Sequence, residues 1–319
     1  MKPSRLLAAA GVLVGLAGTA QAQTVGIATS NPGSLFHNIG SAIAKVANDS
    51  GLDATIQPAT SPNQYLPLIN ANEIEFGVGN LQEFQYALEG REWFSGSVNS
   101  NLRVVGLIMP LREAIFVRKD SDIKSLADLK GKPMVDGYTA QNTILPQLDA
   151  IYGSVGLTRA DMQPVTVPSV VAGADAFMSG ESVGFIFAHG AGKVREADAA
   201  VGGIRALAMP DTDQTRASIA EHWSTGFLVE IGPGPASPGV LEKDWYIAYP
   251  QGVWTNADVD EETVYRMAKV LYENQKAMGG IFPPFNGFNP GRDMVADVAP
   301  AEYHPGAIRF YKEAGLWKM

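Results

Sequence analysis

The chain contains no cysteine. That absence excludes disulfides, thiolate nucleophiles, iron–sulfur clusters and cysteine-ligated zinc together. Histidine is scarce as well. His37, His189, His222 and His304 stand too far apart for a histidine-rich metal site, and neither an HExxH helix nor an Asp-rich calcium loop occurs. Charged residues make up 18%, too few for a disordered chain, while 46% hydrophobic content supports a full core. Cations are the minority sign, 24 against 33, for a net charge of −9. Such a chain lacks the basic surface that displaces counterions from nucleic acid, and an anionic membrane surface would repel it.

Long apolar runs are also missing after the first two dozen residues. Lys2 and Arg5 precede the run Leu6 to Gly18, and Ala20-Gln21-Ala22 supplies a small-x-small cleavage pattern. Residues 1–22 therefore read as a secretory signal peptide, with Gln23 as the new N-terminus. The run is shorter than the ~20 residues that a membrane-spanning helix needs. The expected product is a monomeric periplasmic protein whose fold relies on its core alone.

What is present is a rhythm of strands and helices. The 319 residues suit one large domain or two of ordinary size, at roughly 100–200 residues each. Thr24 to Ala28 reads as a buried strand, followed by a helix with Leu35, Ile39, Ile43 and Val46 on one face. Strands near 54–58, 76–79 and 102–109 alternate with further helices, which implies a parallel sheet covered on both sides. The rhythm restarts at Ala114 and runs to Met209, with Ser125-Leu-Ala-Asp128 opening a short helix. In the last third, Phe227 to Ile231 and Trp245 to Thr255 read as strands, and long helices start near Asp260 and Pro305. The expected division is a first lobe of residues 23–112 plus 212–319 and a second lobe of 113–211. The chain would cross between them near Met109–Ala114 and Met209–Thr215.

Catalytic patterns fare poorly. Gly180-Glu181-Ser182-Val183-Gly184 matches G-x-S-x-G, but a helix precedes the serine and a strand follows it, the reverse of a nucleophile elbow. A secreted serine hydrolase using Ser182 is thus a distant alternative. No glycine loop has the spacing of a dinucleotide or P-loop site, so no cofactor is expected.

The polar residues gather instead at strand-to-helix turns, where open sheets bind ligands against free helix N–H groups. The first half offers Thr29, Ser30 and Asn31, then Ser61, Asn63 and Gln64, then Asn80 and Gln82. The second offers Tyr138, Thr139, Gln141 and Asn142, then Ser169, then His189. Neutral hydrogen-bonding groups of this kind hold a small polar or anionic solute without acting on it, although each also serves as a helix cap. Phe36, Tyr138 and Trp223 could form aromatic walls; Arg91 and Arg112 are the cations nearest these loops.

Three segments resemble the TAXI-type solute-binding proteins of tripartite ATP-independent periplasmic (TRAP) transporters. They are Thr24-Val-Gly-Ile-Ala-Thr29, Ile123-Lys-Ser-Leu-Ala-Asp-Leu-Lys-Gly-Lys132 and Tyr303-His-Pro-Gly-Ala-Ile-Arg-Phe-Tyr-Lys-Glu-Ala-Gly315. The resemblance implies a type II periplasmic-binding fold, two α/β lobes with a ligand cleft between them. It implies capture of a small organic acid or amino-acid-like anion, delivery to integral membrane TRAP subunits, and no enzymatic step. By motif position it adds Ser34, Leu35, Phe36 and His37 to the contacts and places the second-lobe contacts on Gly137 to Thr143. The opening loop departs from the family's Gly/Thr-rich pattern, and the second-lobe loop carries Tyr138, Gln141 and Asn142 in place of small residues. The binding component of an ABC importer on the same fold is the alternative.

Overall fold

The structure is a computed structural model that describes residues 24–318; the signal peptide expected over residues 1–22 lies outside them. β1 (Val25–Thr29) is apolar on both faces and buried throughout, as a strand covered by helices on each side must be. Ser34 caps α1 (Leu35–Asp49), its hydroxyl accepting the His37 N–H at 3.2 Å. β2 (Ala54–Pro58), α2 (Pro62–Asn70), β3 (Phe76–Asn80), α3 (Leu81–Glu89) and β4 (Leu102–Leu107) follow in alternation. The chain then crosses into β5 (Leu111–Arg118). Next come β6 (Pro133–Asp136), α4 (Ile144–Gly153), β7 (Gln163–Thr166), α5 (Val170–Met178), β8 (Gly184–Ala188), α6 (Gly192–Val201) and β9 (Ile204–Leu207). α7 (Asp213–His222), β10 (Phe227–Ile231) and β11 (Asp244–Tyr249) stay with them. The chain returns through β12 (Gln251–Asn256), α8 (Glu261–Glu273), α9 (Gln275–Ile281), α10 (Pro290–Asp293) and α11 (Pro305–Glu313).

Each lobe is built on its own sheet. The first has the order β2-β1-β3-β12-β4, and the second β10-β11-β5-β8, with β9 also on β5. β11 meets β5 at Leu111–Glu113 and β9 meets it at Ile115–Arg118, both antiparallel. The parallel pair β6–β7 adjoins β8 where the Val183 N–H donates to the Pro133 carbonyl at 2.9 Å.

Five expectations change. Residues 227–249 pair with β5 in the second sheet, so the second lobe does not end at residue 211. The return crossing lies at Tyr249–Gln251, not at Met209–Thr215. Trp245 to Thr255 is two strands because Pro250, which has no N–H, breaks it and sends the halves to different sheets. The sheets are mixed rather than parallel: β12 runs antiparallel to β3 and β4, and β5 is antiparallel to all its neighbours. Finally, Ser125–Asp128 forms its capping box on a single 3₁₀ turn rather than a helix.

The C-terminal segment has a packing role. His304 caps α11, its Nδ1 accepting the Gly306 N–H at 3.1 Å. Gly306 lets α11 lie directly on α8, since a Cβ there would sit 2.2 Å from the Glu261 carbonyl oxygen. Tyr311 then donates to the Val105 carbonyl of β4 at 2.6 Å.

Candidate functional site

The strand-to-helix turns of the two lobes face one another and are joined by hydrogen bonds. The Gly33 carbonyl accepts the Lys193 N–H at 3.2 Å, and Asn38 Oδ1 accepts the Gly192 N–H at 3.1 Å. Ser61 donates to the Ala140 carbonyl at 2.9 Å. Gln82 Oε1 accepts the Thr225 backbone N–H at 2.9 Å and its hydroxyl at 3.1 Å. With such bonds at three turns of the first lobe, the lobes are shut against each other.

Between them lies a cavity of about 40 Å³. One water needs roughly 10–15 Å³ of such space, so the closed form suits a compact group. From the first lobe, Ser30, Ser34, Leu35, Phe36 and Asn80 line it. Leu111, Glu113 and Tyr249 come from the strands beside the crossings, and Gln141, Thr143, Ile144, Gln147, Val170, Phe187 and Ala188 from the second lobe. The N-terminal turns of α1 and α4 therefore both end at its wall.

The wall is polar but incompletely paired. Ser30 Oγ, Thr143 Oγ1 and Gln147 Oε1 are buried with no hydrogen-bond partner in the protein. An unmet buried polar atom costs about 1–3 kcal/mol, and three lining one cavity imply that something else is meant to meet them. Glu113 is 3% exposed and accepts the Tyr249 hydroxyl at 3.2 Å. Burial raises its pKa to about 8, with the Tyr249 bond opposing the shift. Behind the wall, Glu83 is fully buried, accepts from Asn80 Nδ2 at 3.0 Å, and is likewise raised to about 8 by burial. No lysine or arginine lines the cavity.

Of the residues singled out in the sequence, the structure brings Ser30, Ser34, Leu35, Phe36, Asn80 and Gln141 to this cavity. The others fall elsewhere. Thr29 is buried beneath it, donating to the Ser30 carbonyl at 3.2 Å, and its hydroxyl lies 3.4 Å from Nδ1 of the half-buried His37. Asn31 turns the chain into α1 by accepting the Ser34 N–H at 3.0 Å. Ser61 and Gln82 are spent on the interlobe bonds; Asn63 bonds Ser61, and Gln64 accepts the Thr60 N–H at 3.0 Å. Tyr138 is fully buried with φ at 34°, a left-handed conformation that few tyrosines adopt. Thr139 is exposed, and Asn142 lines a separate surface hollow with Trp93 and His222.

His189 is not at the cavity. Its ring packs edge-on to Phe116 and Tyr246 on the opposite face of the sheet, where burial and the nearby Arg112 lower its pKa to about 3. Both its nitrogens lack partners in the protein. Trp223 packs against Tyr249 at 5.4 Å rather than lining the cavity. Ser182 donates to the Gly184 carbonyl at 2.6 Å in a helix-to-strand turn.

Sequence reasoning missed Glu113, Gln147 and Tyr249, while Thr143 is the last residue of the Gly137–Thr143 loop that the resemblance implied. Glu113 and Tyr249 sit inside runs that read only as strand. Gln147 lies one turn of α4 past Thr143, where a search confined to turns does not reach.

Among the described residues no group of three or more His, Asp or Glu side chains could hold a metal ion, and no helix is long and apolar enough to cross a membrane. Two α/β lobes shut over a polar cavity, joined by paired crossing strands, are the type II fold of periplasmic solute-binding proteins. The chain belongs to the NMT1-like family, which matches residues 27–315. PhnD1 from Prochlorococcus marinus, in complex with methylphosphonate, shares the fold with a TM-score of 0.54 at 9% identity, over 93% of this chain and 100% of that one. A protein from Bordetella bronchiseptica RB50 gives 0.53 at 14% identity, over 92% and 98%. The alkanesulfonate-binding protein SsuA from Xanthomonas axonopodis pv. citri, bound to MOPS, gives 0.47 at 15% identity, over 91% and 83%. At these identities the likeness is one of fold.

Proposed function

We propose that the protein is a periplasmic solute receptor, which traps a compact polar molecule between its lobes and hands it to a membrane importer. The observation that carries this reading is the cavity itself: polar atoms of both lobes are buried there without partners, and a molecule between the lobes would meet them. The export signal expected over residues 1–22 fits the same setting. Chemistry on the solute has little support, since Ser182 is tied into a turn away from the cavity.

For the importer, an ABC-type system is the first reading and a TRAP-type transporter the second. The fold suits either, and the TRAP reading rests on three short sequence segments alone. An organic acid, as the resemblance implies, fits this cavity only with Glu113 protonated, because a carboxylate beside another would be repelled in a site without cations.

Two measurements test the proposal. Thermal shift against a broad panel of small metabolites should find a stabilising solute, since ligand at about 100 times Kd adds roughly 2.7 kcal/mol. No shift with any of them, on protein shown folded and ligand-free, overturns it. Uptake of that solute into receptor-loaded spheroplasts should then stop on ATP depletion for an ABC importer, and persist on an ion gradient for a TRAP system.

A further inference from the structure

The sign of charge in the cavity points away from the organic anion that the family resemblance implies. We infer that the cleft recognises a compact solute by an ammonium or amidinium group, with Glu113 as counter-ion and Gln147, Ser30 and Thr143 as further acceptors. This rests on the receptor reading and names its ligand chemistry.

The argument is one of hydrogen-bond supply. Gln147 presents an unpartnered carbonyl oxygen, which can only accept. The Ser30 and Thr143 hydroxyls, beside the Tyr65 hydroxyl and the Glu83 carboxyl, can donate there and still accept from a ligand in the cavity. Glu113 has one donor, Tyr249, on Oε2. A ligand group with several N–H bonds and positive charge meets all of these atoms together, whereas a sulfonate, phosphonate or carboxylate can use the hydroxyls and the N-terminal turns of α1 and α4 but leaves the Gln147 carbonyl oxygen unmet and is repelled once Glu113 ionises. No lysine or arginine stands in the wall to reverse that balance. Arg112, adjacent in sequence, projects to the other face of β5, towards His189.

Glu113 is suited to the role because it can change charge. The titratable groups near it are Tyr249, Tyr138 and Glu83, with Asp136 beyond Tyr138 and Arg112 and His189 behind the strand. None of those on the cavity side is a cation, so burial keeps the carboxyl neutral in the free protein. A bound ammonium reverses that preference, and Glu113 ionises by releasing its proton to solvent. Glu83 is less suited, since it lies behind the wall and does not line the cavity.

The test is calorimetric titration of the purified, ligand-free protein. Methylammonium, guanidinium and glycine would be compared with acetate, methanesulfonate and methylphosphonate, from pH 6 to 9. The expected result is binding only by probes with the nitrogen cation. Affinity should gain up to about tenfold per pH unit below pH 8, with a proton released to buffer. Glu113→Gln should weaken that binding by roughly thirtyfold or more, while melting at pH 8 no earlier than the parent protein. Binding of the nitrogen-free anions, weakening as pH rises through 8, overturns this inference and leaves the receptor reading standing. Binding of neither set also overturns it; only silence across the broad metabolite panel reaches the receptor reading itself.

Discussion

The side-chain amide of Gln251 donates to the Met109 carbonyl at 2.8 Å, wholly buried, and ties together the two strands that run between the lobes. The Ile108 N–H returns a bond to the Gln251 carbonyl at 3.0 Å. Pro110 and Pro250 sit beside these contacts, one on each crossing, and neither can extend a ladder across the gap. The hinge is thus two proline-interrupted strands clamped by one glutamine. Replacing Gln251 by Ala strands the Met109 carbonyl and should cost about 1–3 kcal/mol, read as a lower urea midpoint.

Closure can be probed apart from stability. Asn38 and Gly192 touch only when the lobes are shut, so Asn38→Ala should leave the melting temperature of the ligand-free protein nearly unchanged. Loss of a hydrogen bond worth about 0.5–1.5 kcal/mol predicts a three- to tenfold weaker ligand, mainly through faster release. Stopped-flow dissociation would show it, and unchanged release would mean that this contact does not hold the closed form.

The buried carboxyls make stability depend on pH. Glu83 and Glu113 are raised from 4.5 to about 8 in the folded protein. Between those values the folded chain holds protons that the unfolded chain has lost, so stability falls as pH rises and levels off above 8. The slope is on the order of 1 kcal/mol per pH unit for each group. Below pH 6.5 the lowered His189 acts in the opposite sense, so denaturation at pH 7, 7.5 and 8 should show the decline, and Glu113→Gln should flatten part of it. A stability that rises over this range would contradict the assignment.

Gly306 offers a packing test. A methyl group there would press on the Glu261 carbonyl 2.2 Å away and push α11 off α8. Gly306→Ala should cost at least the 1–3 kcal/mol typical of overpacking. Thermal unfolding would report it, and a wild-type melting point would show that α11 can shift without loss.

Much of the fold was legible in residues. β1, α1 and β3 show clear periods, and the structure places them within a residue or two of the expected bounds; α8 starts at the expected Asp260 cap but ends at Glu273, and the residues expected to continue it to Met278 form α9 instead. α7 was missed. Its burial rests on Thr215, Ser218 and Ile219 alone, too weak a stripe to stand out from a polar segment. The site was half legible. Ser30, Ser34 and Asn80 could be found because strand-to-helix turns are where such folds bind, whereas Glu113 lies inside a strand whose burial a sequence does not display.

Local chemistry determined the elements, the caps of α1, α8 and α11, the absence of disulfides and the break at Pro250. The partner of each strand was decided by tertiary structure, because β11 and β12 are adjacent buried strands on either side of Pro250, and only the competition of two sheets for them sends one to each lobe. The charge of the site was decided there as well. A lone glutamate in a sequence reads as solvated surface; burial beside Tyr249, with every cation elsewhere, makes Glu113 a neutral acid lining a closed cavity.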